Sequence, residues 1–426
     1  MAKVKKALDN LKYPSFRDQV PWKTGYFNFG KQEFGDLPRR FFNPSVIEHN
    51  GADWLVVRRA EDIEAHKLGI NTIWAFRLDE NHVPVEGCQV GLRGYKTQHY
   101  EDPRIIRLGT GEMLLSYTTF VIEVKQHIEP VWFGAHIQTA LLDQNFQPIV
   151  QNDPVYGGNQ GSVRQCPRNE KNWLWFEHDG QLHLIYMTEP HEVVQWFGDS
   201  PGQVYETDFP IGYSEIWGHP RGGTPPVRIG DEYWSFFHSS TVWRDPKRRY
   251  HMGCYAFEAK PPFRITRCSS RPICSGSMKD PWWDGQPLVV FPCGSIFRNG
   301  QWFVTLGIND MVSGWMEIPH ADLEKTVQYV TPETVFEAEA EGEPESETRV
   351  CTVSCAVEGG RPGGILAGER PVGSEGTGIA VDSEGQFTRP DGRPTRRRIR
   401  RRRGKGLRSD LRVERSNQDV VEPGGN

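Results

Sequence analysis

The segment Trp54-Leu55-Val56-Val57-Arg58 follows the turn sequence His49-Asn50-Gly51, and this pairing of a tight turn with an apolar run recurs along the chain. Apolar runs follow similar turns at residues 113–117, 182–186 and 301–306. Asn-Gly and Asp-Gly turns between such runs are strong signals for β-hairpins. The repeated pattern therefore predicts an all-β fold.

The hairpins fall into groups that start near residues 43, 102, 171, 223 and 290. A spacing of roughly 60 residues fits a propeller blade of about four strands. The groups predict a five-bladed β-propeller over residues 41–332, with residues 1–40 as an N-terminal extension. Because the groups share little sequence identity, a pair of β-sandwiches is the alternative.

Residues 333–426 are rich in Gly, Pro, Glu and Arg and show no sustained periodicity. Such a composition buries too little apolar surface to offset chain entropy, so we predict a disordered tail. Seven of the eight residues from Arg396 to Arg403 are arginine, a pattern typical of nucleic-acid binding or nuclear import. Single-strand binders also use interleaved aromatic residues, which this block lacks. We favour an extension without a catalytic role and expect no nucleic-acid partner.

The chain has 426 residues, a net charge of −5 and eight cysteines. It contains no Cys-x-x-Cys pair and no His pair at the spacing of a zinc site, so we predict free thiols, no structural metal and no cofactor. No apolar run reaches the roughly 18 residues that span a membrane, and the N-terminus lacks the apolar core of a secretory signal. We expect a soluble cytoplasmic protein, for which a homo-oligomer is an option.

The tetrapeptide Glu101-Asp102-Pro103-Arg104 stands directly before the strand-like run Ile105–Leu108. Pro103 pushes the preceding residue towards an extended conformation, so the Asp102 side chain is expected to point in a fixed direction. A fixed acid is what acid–base catalysis requires. The alternative is a plain Asp-Pro turn with a surface salt bridge.

A propeller gathers the first strands of its blades around one axis, so polar residues beside those strands converge although they are distant in sequence. The residues in such positions are Asn43, Arg59, Asp102, Arg104, Lys171, Asn172, Thr224, His238 and Asp310. Tryptophans such as Trp173 and Trp217 lie near these segments, and aromatic faces can stack on sugar rings. The combination favours a carbohydrate pocket.

Several segments together resemble glycoside hydrolase family 130. They are NPSV (43–46), EDPRIIRL (101–108), EKNWLWFEHDGQLHLIYMTEPH (170–191), GGTPPVRIGDEYWSFFHSS (222–240), YHMGCYAFEAKPPFRITRCSSRPI (250–273), VVFPCG (289–294) and GIND (307–310). That family contains β-mannoside phosphorylases and β-1,2-mannosidases, and its fold is a five-bladed β-propeller. The resemblance runs from residue 43 to residue 333, nearly all of the part that we predict to fold.

The resemblance implies that Asp102 is the general acid and that it delivers its proton to the glycosidic oxygen through the 3-hydroxyl of the mannose. It further implies that Asn43, Arg59 and Asp310 hold the sugar. The other substrate-binding residues that we predict are Arg104, Asn172, Thr224 and His238.

In the family's phosphorylases, inorganic phosphate is the nucleophile and is held by two arginines, a lysine and a histidine. Lys171 and His191 match the lysine and the histidine, whereas the two arginines have no secure counterparts here. A hydrolase would instead need a carboxylate base about 6.5–9.5 Å from the acid. The candidates are Glu123, Glu129, Glu177, Glu189 and Glu215, of which Glu189 and Glu215 are preferred for their position near the third group of hairpins.

We therefore expect an inverting enzyme that cleaves β-mannosidic bonds in manno-oligosaccharides, either by phosphorolysis with inorganic phosphate as co-substrate or by hydrolysis. One alternative is a mannosyltransferase that uses mannose 1-phosphate, because a phosphorylase can run in reverse. Another alternative is a sugar-binding propeller without catalytic activity.

Overall fold

The computed structural model of the protein describes most of the chain up to residue 331 and two short segments beyond it. The described ranges are 15–30, 40–60, 71–93, 98–123, 131–159, 169–210, 212–242, 248–280, 288–331, 334, 380–381 and 387–388. The chain divides into two units, Met1–Glu345 and Ser346–Asn426. The first unit is all-β with a propeller arrangement of its sheets.

Four sheets of the first unit are four-stranded and antiparallel. One contains β2 Arg40–His49, β3 Ala52–Ala60, β4 Asn71–Leu78 and β5 Pro84–Gln89, in that order. The next contains β6 Gln98–Arg107, β7 Met113–Glu123, β8 Val131–Leu142 and β9 Pro148–Asn152. A further one contains β10 Leu174–His178, β11 Gln181–Met187, β12 His191–Phe197 and β13 Ser200–Thr207. The fourth contains β20 Val290–Arg298, β21 Gln301–Ile308, β22 Val312–Pro319 and, at its outer edge, β1 Lys23–Tyr26.

The remaining strands of this unit form a seven-stranded sheet around a long hairpin, β16 Glu232–Val242 and β17 Arg248–Glu258. The shorter members are β14 Arg221–Gly222, β15 Val227–Ile229, β18 Ile265–Ser269, β19 Cys274–Ser275 and β23 Val327–Tyr329. The prediction of five blades with about four strands each is therefore wrong. The described residues contain four such blades, and the eleven-residue strands of the long hairpin offer extra edges to which short strands pair.

Three hairpins of the propeller confirm the turn prediction at the level of the backbone. The two-residue loops Asn50-Gly51, Asp179-Gly180 and Asn299-Gly300 join β2 to β3, β10 to β11 and β20 to β21. Both residues of each loop have a positive φ, between 50° and 73°. Asn, Asp and Gly tolerate this left-handed region, and such turns match the twist of paired strands.

The N-terminal part of the chain takes part in the propeller. After a 3-10 helix, Phe16–Asp18, strand β1 pairs antiparallel with β22, with Lys23 opposite Glu317. Within the segment 1–40, predicted as an extension, Lys23–Tyr26 thus forms the outer strand of the last four-stranded sheet. A strand from the first part of the chain is thereby paired with a strand that lies almost 300 residues further on.

Buried apolar side chains fill the space between neighbouring sheets. One cluster packs Trp234 and Phe236 of β16 against Trp302 and Leu306 of β21, and all four are buried. Two short helices follow the propeller strands, α1 Tyr213–Trp217 after β13 and α2 His320–Leu323 after β22. A 3-10 helix at Glu324–Thr326 leads from α2 into β23.

The cysteines in the described ranges are free thiols, as predicted, and four of the five are buried: Cys254, Cys268, Cys274 and Cys293, with Cys88 partly exposed. Among the described helices, none has the length and apolar character needed to cross a bilayer. The cytoplasmic location stays a prediction.

The second unit is described in two strands, β24 Ala380–Val381 and β25 Phe387–Thr388, which pair antiparallel. The predicted disorder of residues 333–426 concerns a stretch that lies almost wholly outside the described residues.

Trp302 tests the packing between the sheets. Its ring is fully buried and lies 5.5 Å from that of Phe236, and its indole N–H donates to His320 Nδ1 at 3.1 Å. Trp302→Ala should lower the free energy of unfolding by about 3–5 kcal/mol, because it leaves a cavity at this interface. Urea denaturation measures the change. Val242→Ala, at an exposed side chain, is the control, and its free energy of unfolding should lie within about 0.5 kcal/mol of that of the unmodified protein. A loss below about 1 kcal/mol for Trp302→Ala would contradict the packing described here.

Candidate active site

The backbone of the inner strands is interrupted where the predicted site residues stand. The strand register shifts between Phe42 and Ser45 in β2 and between Glu101 and Arg104 in β6. These bulges contain Asn43-Pro44 and Asp102-Pro103, and a bulge re-aims a side chain out of the regular alternation. A proline is tolerated there because its missing N–H leaves no ladder bond unmade.

Asn43 and Asp102 both adopt left-handed backbone conformations, with φ of 55° and 50°. The expectation that Pro103 makes Asp102 extended is therefore wrong. Asn and Asp are the non-glycine residues that enter this region most readily. The bulge, and not the proline alone, sets the direction of the acid.

The two bulges bring Asn43 and Asp102 into direct contact. Asn43 Nδ2 donates to Asp102 Oδ1 at 2.7 Å, and Arg58 Nη1 of β3 lies 3.9 Å from the same oxygen. Arg104 Nη1 donates to the Asp102 backbone carbonyl at 2.9 Å. The Asp102 side chain keeps 14% of its surface exposed, so one carboxyl group, held by Asn43, remains accessible at the site.

Glu101, the neighbour of Asp102, binds cationic side chains on two sides. Its Oε1 lies 2.8 Å from Arg58 Nη2 and 2.8 Å from His99 Nε2, and its Oε2 accepts from Lys171 Nζ at 2.9 Å. Burial alone would raise the pKa of Glu101, but the charges of Arg58 and Lys171 and the bond to His99 hold it well below its usual range. The pKa of Lys171 is raised, because the charges of Glu101 and Asp102 outweigh the opposite effect of burial.

Asp310 approaches the same carboxylates from the turn after β21. Asn309 and Asp310 have φ of 52° and 49°, and Asn309 anchors the turn by accepting from the Val289 N–H at 2.6 Å. Burial raises the pKa of Asp310 to about 6, and the negative charges of Asp102 and Glu101 add to the rise against the attraction of Arg58 and Lys171. Asp310 therefore keeps its proton to a higher pH than an ordinary aspartic acid does.

An aromatic wall flanks the charged groups. His238 of β16 packs face to face with Tyr250 of β17, and the Phe291 ring lies against both His238 and the Arg104 guanidinium. Burial, together with the charges of Arg221 and Arg104, holds the pKa of His238 well below its usual range, so its imidazole is neutral. The pKa of Tyr250 is raised by burial and by the charge of Asp310.

The structure thus brings together Asn43, Asp102, Arg104, Lys171, His238 and Asp310. Three other predicted residues occupy different surroundings. Arg59 stacks its guanidinium on the Trp74 ring at 4.8 Å, while its neighbour Arg58 faces the acid. Thr224 is buried, and its hydroxyl accepts from the Phe236 N–H. Asn172 is partly exposed next to Lys171, with a φ of 66°.

His191, predicted to bind phosphate, lies inside the protein core. Its ring packs against Tyr255 and Phe257, and its Nδ1 is 3.0 Å from the Phe263 carbonyl. Burial lowers the pKa of His191 to about 4, so the ring is neutral near pH 7. A neutral core histidine offers no charge to an anion.

The predicted bases and sugar-stacking tryptophans are mostly elsewhere. Glu189 pairs with His219 at 2.9 Å, Glu177 accepts from the Gly109 N–H, and Glu215 is exposed on α1. The Glu123 side chain and Glu129 lie outside the described residues. Trp173, like Trp175 and Trp196, belongs to a buried cluster of the core.

Sequence reasoning did not assign Arg58, Glu101, His99 or Tyr250 to the site. Adjacent strand residues point to opposite faces, so choosing Arg58 over Arg59 needs the strand register, in which Arg58 stands opposite Phe42. Glu101 was visible in the tetrapeptide, but only the folded chain shows that Lys171 reaches it.

A separate cavity of about 390 Å³ lies further along the inner strands, with Ile47, Ile106, Phe176 and Ile296 among its lining residues. The lining of this cavity begins three residues beyond Asn43 and three beyond Asp102, or about 10 Å along each strand. The cavity is therefore not the place where the charged groups meet. Within the described ranges, no group of three or more His, Cys, Asp or Glu side chains is arranged to hold a metal ion.

Comparison with known proteins gives similarity of structure only. No protein-family model and no curated protein matches the sequence. The structure is similar to that of a candidate glycoside hydrolase from Parabacteroides distasonis, with a TM-score of 0.51, 13% identity and coverage of 72% of this chain and 99% of the other. At this identity the likeness establishes a shared fold.

Two proteins active on mannose compounds also have similar structures. One is the β-1,2-mannobiose phosphorylase of Listeria innocua, with a TM-score of 0.49, 16% identity and coverage of 68% and 93%. The other is MPT-4 of Leishmania mexicana, a mannose phosphorylase, with a TM-score of 0.47, 12% identity and coverage of 79% and 97%.

The proximity of Asp102 and Asp310 can be measured directly. Asp102→Asn removes a negative charge that raises the pKa of Asp310, so the titration midpoint of Asp310 should fall below its value of about 6. Carboxyl-carbon NMR across a pH series follows the Asp310 signal. Asp179→Asn, which removes an exposed carboxylate at the β10–β11 turn, is the control and should leave the midpoint in place. An equal midpoint in Asp102→Asn and the unmodified protein would show that the two groups are not neighbours.

Proposed function

We propose that this chain is an inverting enzyme that cleaves β-mannosidic bonds in manno-oligosaccharides, with Asp102 as the general acid. The observation that carries the proposal is the contact between Asn43 and Asp102 on two neighbouring sheets, with Arg58, Lys171 and Asp310 around them. A partly exposed carboxyl group that neighbouring charged side chains hold in place is suited to proton transfer. The fold shared with a candidate glycoside hydrolase agrees with this class of activity.

Asn43, Asp310 and Arg104 are proposed to hold the mannose ring beside the acid. Hydroxyl groups of a sugar can both donate and accept, so a mixture of amide, carboxylate and guanidinium groups can bind them. Tyr250 and Phe291 supply apolar faces at the same place. Arg59 and Thr224 would act one step further away, Arg59 through its stacking on Trp74 and Thr224 through its bond to the backbone of β16. Asn172, next to Lys171, stays a predicted substrate-binding residue.

The proposed reaction breaks the bond between C1 of the mannose and the glycosidic oxygen. Asp102 gives its proton to the 3-hydroxyl of the mannose, and that hydroxyl passes its own proton to the departing oxygen. The nucleophile attacks C1 from the opposite face, which inverts the configuration. Each proton lost by one oxygen of this relay is gained by the next, and the leaving sugar departs as an alcohol. Phosphate adds to C1 as an anion, whereas water gives up one proton to the solvent as it adds. Asp102 then takes a new proton from the solvent.

The nucleophile is phosphate or water. Lys171 supports phosphate, because a third of its side chain is exposed beside the acid while its ammonium stays anchored to Glu101. His191 does not support it, since its neutral ring is buried in the core. Phosphate and water are therefore both candidate nucleophiles, and the reaction products distinguish them.

Asp102→Asn tests the assignment of the acid. The amide keeps the shape of the side chain but has no carboxyl proton, so kcat/KM for a β-mannoside should fall by about 10²–10⁴-fold. Initial rates measure the loss, and near-UV circular dichroism checks that the fold is intact. Asp179→Asn is the matched control, with unchanged activity expected. Full activity in Asp102→Asn would reject the assignment.

Product analysis tests the reaction class. Manno-oligosaccharides of different linkage are incubated with the protein in phosphate buffer and in phosphate-free buffer. The proposal predicts α-mannose 1-phosphate when phosphate is required, or α-mannose when it is not. Transfer from mannose 1-phosphate to an acceptor without net cleavage would identify a transferase. Binding of the oligosaccharide without turnover in either buffer would identify a sugar-binding propeller and overturn the proposal.

A further inference from the structure

The Glu101 carboxylate joins side chains of separate sheets at the site. Arg58 lies on β3, His99 on β6, and Lys171 three residues before the start of β10, and a nitrogen of each is within 2.9 Å of a Glu101 oxygen. The Glu101 side chain is only 13% exposed, and the Arg58 side chain only 5%. The neighbour of the proposed acid is thus a mostly enclosed carboxylate whose two oxygens are both occupied.

The same cations also face the carboxyl groups of the proposed reaction. Arg58 Nη1 lies 3.9 Å from Asp102 Oδ1, and the Lys171 ammonium is held partly by the charge of Asp102. Both cations also attract the Asp310 carboxylate. A positive charge beside a carboxyl group favours its ionised form, which cannot donate a proton.

We propose that Glu101 is a positioning residue: it engages Arg58 and Lys171 so that the adjacent carboxyl groups, Asp102 and Asp310, can still hold a proton at the pH of the reaction. The inference rests on the proposed function of Asp102. Glu101 itself does not touch the substrate. It acts through Arg58 and Lys171: it holds these two cations in position, and its negative charge offsets part of their effect on Asp102 and Asp310.

Charged and titratable groups from several neighbouring elements surround the carboxyl groups of the site. They are Arg58 on β3, His99, Glu101, Asp102 and Arg104 on β6, Lys171 before β10, Arg221 on β14, His238 on β16, Tyr250 on β17, Cys293 on β20 and Asp310 after β21. Burial raises the pKa of the Cys293 thiol to about 12, so this group is neutral near pH 7. His238 and Tyr250 are neutral near pH 7, because burial shifts the pKa of each away from neutrality. Arg104 donates through Nε to the carbonyl of Gly223 and through Nη1 to the carbonyls of Asp102 and Pro103. Glu101 is therefore the group in direct contact with both Arg58 and Lys171.

The test replaces Glu101 by Gln, which keeps the size of the side chain and removes its charge. The pH dependence of kcat/KM is measured for the full chain on a β-mannoside, with the nucleophile saturating. The limb on which activity falls with rising pH should move to lower pH by about one unit or more. Glu101→Asp keeps the charge, so its limb should stay near that of the unmodified protein. A limb that does not move in Glu101→Gln would overturn the inference, even if overall activity or thermal stability fell.

A second readout is independent of turnover. In Glu101→Gln the Asp310 carboxyl signal should titrate at lower pH than in the unmodified protein, because a negative charge that raises its pKa is gone. An unchanged Asp310 midpoint would contradict the inference whether or not the protein cleaves mannosides. If Glu101→Gln does not fold, Lys171→Met provides the opposite test, since loss of a cation should move the same midpoint to higher pH.

The two proposals fail in different ways. An unmodified protein that turns over no β-mannoside disproves the proposed function, and the NMR midpoint still decides the role of Glu101. An active unmodified protein with equal pH limbs in Glu101→Gln and Glu101→Asp disproves the inference alone.

Discussion

The bonds from Glu101 to Arg58 and Lys171 are the interaction on which the site depends. They join side chains from β3, β6 and the start of the β10 sheet at one point. Removing one partner of a buried ion pair usually costs about 3–5 kcal/mol, because the other charge is left without compensation. The cluster therefore holds neighbouring sheets in place and, at the same time, sets the field in which Asp102 and Asp310 bind or release protons.

The bulges in the inner strands determine the direction in which the side chains of the site point. In a regular strand, Glu101 and Asp102 would point to opposite faces, and one of them would leave the site. The bulge at Asp102-Pro103 and the matching one at Asn43-Pro44 turn both side chains towards the same region, where Asn43 holds Asp102 by a bond of 2.7 Å. The propeller brings its inner strands close together, and the residues in the bulges of those strands provide the side chains that are proposed to act on the substrate.

Local sequence signals predicted the hairpins because Asn-Gly and Asp-Gly turns carry their own backbone preference. The same signals could not predict strands of two or three residues, such as β14 and β19, so the count of equal blades was wrong. Sequence motifs predicted Asp102, Asn43, Lys171 and Asp310, which the structure places close together, whereas Arg58 depends on strand register and Glu101 on a contact 70 residues away along the chain. His191 is buried because it packs against Tyr255 and Phe257. A match between sequence motifs cannot reveal such a tertiary contact.

A crystal structure of the Asp102→Asn variant with a bound manno-oligosaccharide would show whether the sugar binds beside residue 102. We expect a mannose ring beside Asn43 and Asp310, with its 3-hydroxyl about 3 Å from the side chain of residue 102. Sugar bound instead in the cavity between Ile47 and Phe176, with the Asp102 region empty, would contradict the account.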